Sequence, residues 1–109
     1  MQQAFALRDL LGVTRVVIHR VPFAVSAAAE CGSTQPGPYI AGTKKSTGAG
    51  DRFNAGFCLG LALGLDDSES LVLGCAASGF FVRNARSASQ QELVGFVERW
   101  AAGSVDRSI

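Results

Sequence analysis

A chain of 109 residues holds one domain at most, and 48% hydrophobic against 17% charged residues, with 13 glycines and 3 prolines, is a globular composition. Ten basic against nine acidic residues give a net charge of +1, which points neither to nucleic acid nor to an anionic membrane surface. The three cysteines (Cys31, Cys58 and Cys75) have no CxxC spacing and read as reduced, buried small hydrophobes of a cytoplasmic protein.

Residues 1–9 lack a basic segment followed by an apolar run, so no targeting segment is expected. Phe5, Leu7, Leu10 and Leu11 predict a short helix over Gln3–Leu11, stopped by Gly12. Val13–His19 is β-branched and unbroken, and reads as a strand. Helix, glycine and strand together suggest an α/β unit with a parallel sheet. Phe23–Ala29 is either a further strand or a helical turn. Cys31–Pro38, with two glycines and two prolines, reads as a loop. Tyr39-Ile40-Ala41 is expected to be a short strand feeding the glycine turn that follows.

From Gly50 the pattern is helical. Phe53, Phe57 and Leu61 share one face, and Gly56 and Gly60 form a smooth strip that predicts close approach to another backbone. Gly64 ends this helix. Asp66 with Glu69, and Ser89 with Glu92, are capping boxes that open two more helices, one to about Asn84 and one to Gly103. Leu71, Cys75, Ser78 and Val82 recur at helical spacing on the first of these. Ser104–Ile109 reads as a polar tail. The apolar runs Phe53–Leu65 and Ser70–Val82 both fall short of the ~20 residues that span a bilayer, and read as core helices. Short strands followed by three greasy helices need a larger sheet to cover, so the chain reads as the last part of a bigger α/β fold.

The chemistry concentrates in residues 44–56. Small residues flanked by glycine stand directly before Asp51, and the helix begins there. Such a turn leaves unpaired backbone N–H groups at the positive end of a helix dipole, facing an anion. A carboxylate beside that pocket suits deprotonation of a hydroxyl next to a phosphoryl group. The plain alternative is a tight helix entrance with Asp51 as a dipole partner. Two other phosphate motifs fail. Gly37–Lys44 approaches a Walker A loop with its last two residues exchanged, and Gly48-Ala49-Gly50 would begin a dinucleotide fingerprint that meets Phe53 where glycine is required.

Ser46-Thr47-Gly48-Ala49-Gly50-Asp51-Arg52-Phe53-Asn54-Ala55-Gly56 resembles the C-terminal signature of the ribokinase/PfkB carbohydrate kinases, D-[ST]-x-G-A-G-D-x-F-x-x-G, with Lys45 in place of the leading Asp. The resemblance runs over about residues 7–102. It implies the C-terminal fragment of a ribokinase-like three-layer α/β/α fold, with residues 1–109 as the nucleotide-binding, catalytic-base part of an incomplete kinase domain. It further implies ATP-dependent phosphoryl transfer to a hydroxyl of a sugar or nucleoside. Gly48, Ala49 and Gly50 would form the anion hole, and Asp51 would act as the base.

Thr47 would either shape the nucleotide phosphate site or bond its own turn. Asn54 would either reach the nucleotide or sit on the exposed helix side. Gly74, Cys75 and Ser78 would either line the adenine pocket or pack the core. Arg83, Asn84 and Arg86 would either contact phosphate or edge a solvated loop after the second helix, the loop being favoured, and His19 reads as a structural or surface histidine rather than a catalyst. No metal ligand is expected in this chain. The resemblance implies ATP with Mg²⁺, but the family's NxxE magnesium element, its Gly-Gly signature, its lid and its sugar-contacting residues have no counterpart here. K⁺, which the leading acidic residue helps to hold in many members, is disfavoured by the Lys45 ammonium; the alternative leaves Lys44 and Lys45 as a solvated pair. The chain would be a truncated product, half of a split enzyme or a degenerate remnant. Its partners would be the small-molecule substrate and either a second copy or an N-terminal half, with no nucleic acid or membrane. A rival reading is a non-catalytic nucleotide-binding or interaction remnant.

Overall fold

The computed structural model describes residues 1–20, 23–28, 31–40 and 42–105. Its elements are α1 (Gln2–Leu11), β1 (Arg15–His19), β2 (Phe23–Ala28), β3 (Cys31–Pro36), α2 (Ala49–Ala62), α3 (Asp67–Asn84) and α4 (Gln90–Ala101). Gly12 stops α1 in the left-handed conformation, at φ 65°, with its N–H on the Arg8 carbonyl. Both capping boxes form as read: Asp66 with Glu69 opens α3, and Ser89 with Glu92 opens α4.

The sheet is antiparallel, in the order β1-β2-β3, which corrects the parallel expectation. Registers run Arg15↔Ala28 to His19↔Ala24 and Phe23↔Pro36 to Ala28↔Cys31. Connections of residues 20–22 and 29–30 are too short for the crossover a parallel pair requires. Phe23–Ala28 is thereby settled as a strand, while Ala29 lies outside the described residues. Cys31–Pro36, read as loop, is a strand: the free ladder edge of β2 outweighs the weak propensity of Gly32 and Ser33, and Pro36 at the strand end costs few ladder bonds. Tyr39 and Ile40 are not in a strand, and Ala41 lies outside the described residues, as do positions 106–109 of the polar tail.

β2 is buried on both faces and separates three layers. Val25 and Ala27 pack against Ala4 of α1, with Phe5, Val16, Ile18 and Phe23 around them. Ala24 faces the other way into Phe53, Phe57, Leu71 and Cys75 of α2 and α3, with Leu61 on its border. α4 closes the outside of α3 through Phe80 and Phe96. The glycine strip does what its spacing implied. A Cβ on Gly56 would stand 2.6 Å from the Leu73 carbonyl oxygen, and one on Gly60 2.8 Å from the Ser70 Cα, so α2 and α3 meet backbone to backbone. Asp67 ties the sheet to the start of α3, accepting hydrogen bonds from Arg15 Nε at 2.9 Å and Ser26 Oγ at 2.5 Å.

The cysteines only partly follow expectation. Cys75 is buried, but Cys31 and Cys58 are exposed, because β3 is an edge strand and Cys58 lies on the outer side of α2; all three are free thiols. Among the described residues, no helix is long and apolar enough to cross a membrane.

Candidate active site

The loop between β3 and α2 is held over α3 by its backbone. Pro38 lies against Gly79, where a Cβ would come within 2.6 Å of its Cγ, and its carbonyl accepts from Arg83 Nη2 at 2.8 Å. Lys44 N–H donates to the Val82 carbonyl at 2.8 Å. The chain then turns into α2. Ala49 N–H donates to the Ser46 carbonyl at 3.0 Å, and Gly48 takes a left-handed φ of 98° that only glycine adopts without strain.

Arg52 braces this turn from behind. Its guanidinium lies 4.3 Å over the Phe81 ring, donates from Nε to Ser87 Oγ at 3.1 Å, and places Nη1 3.5 Å from the Gly48 carbonyl oxygen. No side chain caps α2, and no described residue accepts from the N–H groups of Gly48, Gly50 or Asp51. The turn therefore presents unpaired donors at a helix N-terminus, with the Asp51 side chain exposed beside them.

A cavity of about 160 Å³ opens between this loop, the end of β1 and α3. His19, Tyr39, Ser46, Ala49, Cys75 and Ser78 supply its chemistry, and Pro38, Ile40 and Val82 part of its apolar wall. His19 is half-buried and stacks on Phe53, with centroids 4.1 Å apart. Burial pulls its imidazole below the ordinary histidine value. Burial pushes the Cys75 thiol up to about 12, so it serves as a neutral wall and not as a nucleophile. A larger space of about 250 Å³ beside Trp100, lined by Gln35, Val72, Val97 and Ala101, lies away from the turn and carries no ionisable group.

Of the residues singled out from sequence, Ala49, Cys75 and Ser78 meet in one cavity, across two elements. Gly48, Gly50, Asp51 and Thr47 form the adjoining turn. Gly74 lies elsewhere: a Cβ there would meet the Phe53 ring at 2.8 Å, so it serves the contact of α2 with α3. Asn54 is on the exposed side of α2. Arg83 and Asn84 bond carbonyls one turn back on α3, and Arg86 pairs with Glu92, so these three brace the end of α3. His19 and Ser46 border the cavity without having been expected there. Only the β1 strand end could have hinted at His19.

Residues 1–100 match a family model described as prokaryotic ketohexokinase. The chain belongs to the prokaryotic ketohexokinase family. A ketohexokinase from Haloferax volcanii is 36% identical over 106 residues, covering 96% of this chain and 27% of that protein. This family member therefore spans 27% of the length of the relative it matches. Among solved structures, a nucleoside kinase of Methanocaldococcus jannaschii, an archaeal member of the ribokinase family, superposes with a TM-score of 0.71 at 18% identity, covering 90% of this chain and 38% of that one. A nucleoside kinase of Burkholderia thailandensis gives 0.70 at 18%, covering 88% and 36%. At that identity the likeness establishes the fold, which is ribokinase-like.

Proposed function

We propose that this chain forms the C-terminal, nucleotide-binding and catalytic-base part of an ATP-dependent carbohydrate kinase. The observation that carries the reading is the α2 entrance: unpaired N–H groups at Gly48 and Gly50 beside an exposed carboxylate, next to a cavity with apolar walls. The apolar slot takes the adenine, with Cys75 and Ser78 on its wall, and the triphosphate runs toward the turn, which Thr47 helps to shape.

The acceptor hydroxyl oxygen then attacks the γ-phosphorus, and the bond from that phosphorus to the β,γ-bridging oxygen breaks, releasing ADP. Asp51 receives the hydroxyl proton as the new O–P bond forms. The turn's N–H groups offset the charge on the γ-oxygens in a site where dipoles need no reorganisation. The family name points to a ketohexose as the acceptor, and the resemblance places the sugar-contacting residues in the part of such kinases that precedes the matched segment. Mg²⁺ would screen the phosphate charge, but among the described residues no group of three His, Cys, Asp or Glu side chains could hold it, so no step is assigned to metal bound by this chain. Lys45, whose ammonium lies 5.9 Å from the Phe81 ring centroid, disfavours K⁺ beside the turn. Free thiols throughout suit a reducing compartment such as the cytoplasm.

A second reading, an interaction remnant, is favoured by the uncovered leucines of α1, Leu10 at 81% and Leu11 at 62% exposure. The deciding experiment mixes this chain with ATP and a sugar panel, alone and together with the N-terminal part of a related ketohexokinase, of whose length this chain covers 27%. Transfer that Asp51→Asn lowers by about 10²–10⁴-fold supports the kinase. Binding of ATP without transfer in every combination supports the remnant.

A further inference from the structure

His19 is the chain's single histidine, and the kinase reading gives it no task. It ends β1, pairs through its backbone register with Ala24, and borders the cavity. One ring face is covered by Phe53, at 5° from parallel. Phe53 stands one turn along α2 from Ala49, and Ala49 and Ser46 at the turn line the same cavity as the imidazole. No described residue shares a hydrogen bond with either ring nitrogen. A half-buried imidazole has a donor and an acceptor to satisfy, and with none supplied by the described residues they are left to solvent or to a ligand in the cavity.

The surrounding charge is equally bare. Tyr39 and Cys75 are the other ionisable groups on the lining; β2 contributes Ala24, α2 contributes Ala49 and Phe53, and α3 contributes Ser78, Gly79 and Val82. Among the described residues, no carboxylate and no ammonium lines the space. An imidazolium formed there without a ligand would be desolvated with no counter-charge.

We propose that His19 is a phosphate-contacting group of this cleft, held flat on Phe53 and taking up a proton when the anionic chain of a nucleoside triphosphate binds. The inference rests on the nucleotide reading above. Burial lowers the imidazole's pKa in the free protein, and a phosphate chain beside it favours the charged form. The pKa of the complex then lies above that of the free chain, so affinity is greatest below both values and falls as pH rises through them. A rise of about one unit corresponds to about tenfold tighter binding on the acidic side.

Because one histidine is present, its imidazole proton resonances are unambiguous, and a pH titration by NMR of this chain reads its pKa directly. The titration is run free, with ATP, and with adenosine, which lacks phosphates. The expected result is a raised His19 pKa with ATP and an unchanged one with adenosine. ATP affinity measured against pH in His19→Gln should lose the added acidic-side gain and keep only the part due to the γ-phosphate, which itself titrates near pH ~6. If ATP shifts the Gly48 and Gly50 amides while the His19 pKa stays at its free value, the inference is overturned and the nucleotide reading stands. If neither ATP nor adenosine moves any resonance, both are overturned. The titration of the unmutated chain decides the matter even where His19→Gln does not fold.

Discussion

His19 and Phe53 lie face to face, centroids 4.1 Å apart and planes 5° from parallel, and this stack joins the end of β1 to the first turns of α2. Phe53 also stacks on Phe57 at 6.1 Å, and its ring closes against Gly74 of α3. With 1% exposure it is the point where sheet, α2 and α3 meet, two residues after Asp51. Phe53→Ala should therefore lower unfolding stability by about 3–5 kcal/mol, read by urea denaturation followed by circular dichroism. A cost under about 1 kcal/mol would mean that the site can collapse around the void and that the hub is dispensable.

The glycines of α2 separate into two kinds. At Gly56 a Cβ meets the rigid Leu73 carbonyl, so Gly56→Ala must push α3 away and should cost about 1–3 kcal/mol. At Gly50 a Cβ meets nothing within 4 Å, and Gly50→Ala should leave stability within about 1 kcal/mol of the parent. Melting temperatures of the two variants side by side would reverse this assignment if Gly50→Ala were the more damaging.

Arg52 holds the turn through Phe81, Ser87 and Gly48. Arg52→Ala removes one cation–π contact and two side-chain hydrogen bonds, the one to Gly48 long at 3.5 Å, for a loss of about 1–2 kcal/mol. Hydrogen exchange should quicken at Ala49, whose amide closes the turn, before it quickens in the middle of α3. Uniform quickening would show Arg52 to be a general packing residue.

Acid should destabilise the fold with a sign set by two carboxyls. Hydrogen bonding from Arg15, helped by Ser26 and opposed by burial, holds Asp67 below its ordinary 3.8. Arg86 and the Ser89 cap draw Glu92 down from 4.5 to about 2. Both values are depressed in the folded state, so their contributions are present above the unfolded values and lost as pH falls through the folded ones. The melting temperature should drop as pH falls from about 4.5 toward 2. Asp67→Asn should melt below the parent at pH ~6 and approach it in strong acid. Parallel curves across that range would rule out the Asp67 contribution.

Lys45 replaces the acidic residue that opens the family signature. Combined with the N-terminal part of a related ketohexokinase, the chain should, on the proposed kinase reading, transfer phosphate as fast in Na⁺ as in K⁺, and Lys45→Asp should create a K⁺ response. A large acceleration by K⁺ with Lys45 in place would refute the charge argument. Steady-state rates in the two salts at equal ionic strength decide it.

Sequence alone determined whatever depends on neighbours along the chain. The capping boxes at Asp66 and Ser89, the left-handed stop at Gly12 and the α2 glycine strip are set by residues three or four apart, where backbone geometry leaves few alternatives. The kinase signature was readable for the same reason, since a turn running into a helix is a local object. Tertiary structure decided what needs distant partners. Cys31–Pro36 became a strand because β2 had an open edge, and the sheet turned antiparallel because its connections were short. Gly74 went to the helix crossing and Cys75 to the cavity wall although they are adjacent, because successive residues on a helix point about 100° apart. His19 met α2 through Phe53, 34 residues away in sequence, and no pattern within β1 announces such a contact.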